Sequence, residues 1–129
     1  MSLDVSPELL AEAERGEVRE EDFVRTVRAS LPYAYGLVAR LTGELRAGTA
    51  DFADNRTPPS ETERGQLLRA LASDAIRGCL ERHFGVTLAF QNCHRLAVFP
   101  TGARDSAGLA RFVSPRAQVL NQSPELRDC

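Results

Sequence analysis

The chain has 129 residues, 43% of them hydrophobic and 26% charged, which suits one globular domain with its own core. No apolar run approaches the roughly 20 residues that a membrane helix needs. The opening MSLDVSPELL has no basic stretch followed by an apolar block, so no secretory leader is read and a cytoplasmic chain is expected.

The predicted elements begin with a short N-terminal helical arm over residues 1–16. Ser6-Pro7-Glu8 supplies a cap, a proline at the first helical position and an acid in the first turn, and Gly16 ends the arm. Residues 20–46 read as a kinked helix. Phe23, Val24, Val27 and Leu31 give its first apolar stripe, and Tyr35, Val38, Leu41 and Leu45 continue it. Pro32 interrupts the pattern, with Ser30 placed to cap the second part, so a break is expected near 30–32. Tyr33 and Tyr35 bring two hydroxyls to that break, where an enzyme reading would place its pocket. Half-buried core tyrosines are the simpler account. Residues 49–59 form a polar loop. Asp51, Asp54 and Asn55 lack the spacing of a calcium loop and fit local turn chemistry better, with Phe52 pinning the loop to the core.

The clearest stretch is 60–84, read as one central amphipathic helix. Ser60 and Glu63 form a capping box, and Leu67, Leu71, Ile76, Cys79, Leu80 and Phe84 recur at spacings of three and four. Gly85 stops it. At residues 86–99 the period falls to two, which predicts a β-hairpin with Gln91-Asn92-Cys93-His94 at its tip. A lone hairpin is marginal, so it must pack on the helix or pair at its edge with another chain. Residues 104–129 read as short C-terminal helices started by Asp105 or Ser106, by Ser114-Pro115 and by Ser123-Pro124. The fold expected is α+β, a mostly helical single domain with one β-hairpin packed on the central helix. Its core is Phe23, Val27, Leu31, Leu41, Leu67, Leu71, Ile76, Leu80, Phe84, Leu88, Phe90, Leu96 and Val98.

The segments FADNRTPP, RGQLLRALASDAIRG, RHFGVTLAFQNCHRLAVFP and LNQSPELRDC resemble a small uncharacterised protein family of streptomycetes and related actinobacteria. The resemblance covers nearly the whole chain. It implies no activity, cofactor or fold, and it agrees with a basic complement made wholly of arginine, a signature of GC-rich coding.

The reactive inventory is Cys79, His83, Cys93, His94 and Cys129. An odd number of cysteines in a cytoplasmic chain argues against a disulfide framework. Cys79 and His83 share a helix face and read first as core and helix-end residues. Cys93, His94, Cys129 and His83 together would offer zinc four soft or borderline ligands, although no CxxC pair supports such a site. Attack by Cys93 with neighbouring His94 as base is weaker, because a sequence neighbour rarely reaches the thiol in a productive orientation. Asp74 and Glu81 read as solvated charges and not as an acid–base pair.

Charge is distributed unevenly. Residues 1–30 carry eight acids and four arginines, and residues 66–129 five acids and eight arginines. The two ends are expected to face each other within the fold or within an oligomer. The favoured function is a non-enzymatic cytoplasmic binding or interaction protein acting as a homo-oligomer, with a protein partner also open. One alternative is a metal or thiol site at the Cys93-His94 tip with Cys129. The other is a nucleic-acid-binding regulator using Arg69, Arg77, Arg82, Arg95, Arg104, Arg111 and Arg116, which would call for a denser basic patch.

Overall fold

A computed structural model describes residues 3–91 and 95–120. In chain order the elements are α1 (Pro7–Glu14), α2 (Glu20–Ser30), α3 (Pro32–Ala47), β1 (Ala53–Asp54), α4 (Glu61–Leu71), α5 (Asp74–Phe84), β2 (Val86–Gln91) and β3 (Arg95–Pro100). A 3₁₀ turn (Ala103–Asp105), α6 (Ala107–Phe112) and α7 (Pro115–Leu120) follow. The fold is α+β, as the periodicities imply.

Gly85 turns the chain from helix into sheet. It adopts the left-handed conformation, φ 67°, that a side chain would disfavour, and its N–H closes α5 on the Glu81 carbonyl. β2 and β3 then pair antiparallel from Val86 opposite Pro100 to Gln91 opposite Arg95. β1, within the stretch read as a loop, adds to the other edge of β3, with Ala53 opposite Val98 and Asp54 opposite Ala97. Asn55 extends this edge. Its amide donates to the Leu96 carbonyl at 3.2 Å and its Oδ1 accepts the Leu96 N–H at 2.8 Å. β3 is therefore the central strand, in the order β1-β3-β2.

Both faces of this sheet are covered. Val86 and Leu88 of β2, with Leu96 and Val98 of β3, join Val27, Leu31, Leu41, Leu67, Ile76 and Leu80 in the main core beneath α2–α5. The alternate residues Ala89, Ala97 and Phe99 face the other way and meet Phe112 of α6, flanked by Phe52 and Leu109. Phe52 stacks on Phe99 at 4.9 Å, and Phe112 meets both rings edge-on at 5.9 Å. Such pairs add roughly 0.5–1.5 kcal/mol beyond their buried area. Of the expected core, Phe23, Phe84 and Phe90 are only partly buried, and the remainder is buried.

The helix expected over 60–84 is two helices. Ala72 ends α4, and Ser73 is extended (φ −100°, ψ 117°) with its hydroxyl accepting the Ile76 N–H, so the serine caps a fresh helix instead of continuing the old one. Leu71 and Ile76 remain buried on either side of the break, which is why the apolar spacing did not reveal it. The break expected at 30–32 occurs at Leu31, but its cap is not Ser30. The Ser30 hydroxyl accepts the Asp4 N–H at 2.8 Å, tying down the N-terminal arm. The first turn of α3 is capped by Gln66 of α4, whose Oε1 accepts the N–H groups of Tyr33 at 2.7 Å and Ala34 at 3.1 Å. The capping box at Ser60 and Glu63 is present.

Gln66 thus performs from a distance the task an N-cap performs locally. Gln66→Ala is expected to lower unfolding free energy by about 1 kcal/mol, within the range of N-cap removal. Gln66→Glu, which keeps the acceptor and adds charge at a helix N-terminus, should hold or exceed the parent value. Urea unfolding of the three proteins checks this, and an unchanged alanine variant would contradict it.

Candidate binding clefts

α6 and α7 leave a cavity of about 300 Å³ on the second face of the sheet, lined by Phe52, Gln91, Arg95, Arg111, Phe112 and Arg116 among others. Register explains its makeup. Gln91 and Arg95 are a facing pair at the hairpin end, on the same face as Ala89, Ala97 and Phe99. The Arg95 guanidinium is held by Asp54, Nε to Oδ2 at 2.9 Å, and lies over the Phe112 ring at 5.7 Å. The Asp54 side chain is only 6% exposed, so this pair is fixed more firmly than a surface bridge. Gln91, 4% exposed, donates from Nε2 to the Phe112 carbonyl. Arg111 and Arg116 are exposed, and neither forms an ion pair among the described residues. Among the described residues, the lining of the cleft has an aromatic wall, three guanidinium groups and no acid. Guanidinium groups engage carboxylate and phosphate oxygens in pairs, so the arrangement suits an oxyanion.

A second cleft, about 350 Å³, lies between α1 and α2 and is lined by Asp4, Glu8, Glu12, Asp22 and Arg25, among others. Asp22 engages Arg25 at 3.0 Å. Glu12 is 9% exposed, and its buried Oε1 has no hydrogen-bond partner among the described residues. An unsatisfied buried acceptor costs on the order of 1–3 kcal/mol, more when charged. In a wider hollow beside Gly78, Gly85 and Gly102, the side chains of Glu81, Arg82 and Thr101 are already committed internally. Glu81 accepts the Leu88 N–H, Arg82 pairs with Glu20, and the Thr101 hydroxyl donates to the Gly85 carbonyl.

Cys79 is fully buried on α5, and burial, reinforced by Glu20 and opposed by Arg82, pushes its thiol up to about 11. His83, one turn later, is exposed, with Nε2 at 3.2 Å from the Tyr35 hydroxyl and its ring edge-on to Phe84. The helix spacing does not make Cys79 and His83 a ligand pair, and no cluster of three metal-binding side chains occurs among the described residues. Cys93, His94 and Cys129 lie outside the described residues, so of the four-ligand set only His83 is placed.

Asp54 and Asn55 are used by Arg95 and Leu96, as local structural groups. Tyr33 is half-buried, and its phenol is raised by burial and by Glu63. Tyr35 packs on Phe84 beneath the Arg28 guanidinium. Asp74 is exposed and pairs with Arg77, as a solvated charge does, whereas Glu81, read in the same way, is partly buried and accepts the Leu88 N–H of β2. Of the seven arginines singled out, Arg77, Arg82 and Arg95 are paired with acids, and the Arg104 side chain lies outside the description. Phe52, Gln91 and Phe112 were not read as site residues. The signal for them was the second apolar row Ala89, Ala97, Phe99, which requires something to cover it.

The chain matches, over residues 1–129, the model of a family described as NucS shadow ORF, and it belongs to that family. No curated protein and no solved structure is significantly similar to it.

The Cys79 environment makes a direct prediction. Folding raises this pKa from 9.0 to about 11, so the neutral thiol favours the fold below the lower value and that contribution disappears as pH rises through the upper one. In a Cys93→Ser, Cys129→Ser variant, iodoacetamide at about pH 8 should leave the native protein unlabelled and modify it rapidly in denaturant. Rapid labelling of the native state, read by mass spectrometry, would contradict the buried placement.

Proposed function

We propose that this member of the NucS shadow ORF family is a non-enzymatic binding protein that works as a homo-oligomer. The observation that carries the proposal is Glu12, a buried carboxylate whose Oε1 finds no donor in its own chain among the described residues. It opens onto a cleft on an arm that also exposes Val5, Leu10 and Val18. Apolar side chains with a charged rim make a protein-binding surface. Pairing two such arms across a symmetry axis is disfavoured, because residues 1–30, the arm and the helix beside it, carry eight acids against four arginines and would repel their own copy. A basic side chain of a second copy, from the segment carrying eight arginines against five acids, supplies both the missing donor and the opposite charge. Such a contact is heterologous, joining different faces of the two copies.

The hairpin edge serves this purpose less well. β1 occupies the other side of β3, and Glu81 takes the Leu88 N–H on the outer side of β2, leaving little free ladder for another chain. A cytoplasmic setting and actinobacterial coding are part of the same proposal; the latter accounts for a basic complement without lysine. The family description, NucS shadow ORF, names no activity. Its short name also carries the letters KH. A KH module clamps nucleotides with a GXXG loop, and no two glycines of this chain stand three apart, so that clamp is not proposed.

Native mass spectrometry across ionic strength tests the proposal. The wild-type chain is expected to form an oligomer at low salt that dissociates as salt rises. Glu12→Met removes the orphan oxygen at similar volume, so the monomer should become more stable while assembly weakens about tenfold, ~1.4 kcal/mol. A strict monomer at low salt, or a Glu12→Met protein that assembles unchanged, would contradict it.

A further inference from the structure

We propose that the cleft between β3, α6 and α7 is a binding site for a small aryl oxyanion, a flat aromatic body carrying a phosphate or carboxylate. The inference goes beyond self-association and does not depend on it.

Four observations support it. The cavity, about 300 Å³, reaches the lower end of the range for small-molecule sites, so the body it accepts is about one ring and not a large cofactor. Phe52 and Phe112 line it, and an aromatic guest can stack on or meet the edge of such rings. Arg95 is already positioned, anchored by Asp54 and laid over Phe112, so little side-chain freedom is lost when an anion arrives. Arg111 and Arg116 bring two further guanidinium groups from separate helices. With Asp54 set against Arg95, the three arginines leave a local charge near +2 among the described residues of the lining, none of which is an acid.

Gln91 completes the floor. Its Nε2 is fixed by the Phe112 carbonyl, which sets the side chain's orientation in the cleft. The remaining basic residues argue for a small guest over a polymer. Arg77 and Arg82 are engaged by Asp74 and Glu20, so no continuous unpaired stripe leads away from the cleft along α5.

The test is isothermal titration of the full chain with phenyl phosphate, inorganic phosphate and phenol. Burying one ring is worth roughly 1.5–3 kcal/mol, so phenyl phosphate should bind at least about tenfold more tightly than inorganic phosphate. Phenol, without the anion, should bind at least as weakly as phosphate. Arg111→Gln with Arg116→Gln, both at exposed positions and so neutral to folding, should weaken phenyl phosphate about tenfold or more and leave the circular dichroism spectrum unchanged. Equal affinity for phosphate and phenyl phosphate, or binding indifferent to the double substitution, would overturn the proposal. So would binding of a single-stranded oligonucleotide, steeply weakened by salt, with no binding of phenyl phosphate.

Discussion

Strand β3 must bury both of its faces, and the rest of the architecture follows from that requirement. Leu96, Ala97, Val98 and Phe99 are four consecutive residues at 0–1% exposure. A strand with one wet face would alternate, but here each side chain points into one apolar layer or the other. The main layer of helices satisfies Leu96 and Val98. Something else must cover Ala97 and Phe99, and that is why α6, which carries Phe112, and the loop that carries Phe52 fold onto the far side. A central strand also needs partners on both edges. β2 supplies one, and the short β1 with the side chain of Asn55 supplies the other.

The connections between elements are closed by borrowed hydrogen bonds. Gln66 caps α3 from α4, Ser30 holds Asp4, Arg46 donates to the last carbonyl of α5, and Glu81 satisfies an outward N–H of β2. Each bond joins segments distant in sequence or on different elements, so each couples one element's order to another's. Some of the polar groups left over are the basis of both proposals of function. After these internal bonds are drawn, Glu12 on one side and Arg111 and Arg116 on the other are charges without a partner among the described residues. They occupy two clefts of unlike lining, and both readings of function grow from them.

Much of the fold was legible because it depends on local chemistry. The serine caps at Ser6, Ser60 and Ser106, the stop at Gly85 and the two hairpin strands all act over a few residues, although Gln91, expected in the tip, is the last residue of β2 opposite Arg95. The break at Ser73 escapes the apolar pattern because the flanking residues keep helical spacing across it, and nothing in the spacing distinguishes a cap from a polar-face serine. β1 was invisible because two residues carry no period. The second core was missed because Ala89 and Ala97 are small and Phe99 is large, so the row reads as irregular until Phe112 is seen to fill the space over the alanines. The arginine cleft needs that second core in place before its lining can be recognised, and so does the contrast between paired and unpaired arginines. The buried Glu12 was beyond the sequence for a similar reason, since only the packing of α1 beside α2 removes it from water.

The chain folds around a strand buried on both faces, and hydrogen exchange of the β3 backbone amides measures that burial. If β3 is central and covered, the amides of Leu96, Ala97, Val98 and Phe99 should exchange only through global unfolding, at the same rate as the slowest amides of α3. The same four amides exchanging orders of magnitude faster than α3 would contradict the account. The helices would then form a core of their own, and the hairpin with its arginine cleft would not be part of the stable structure.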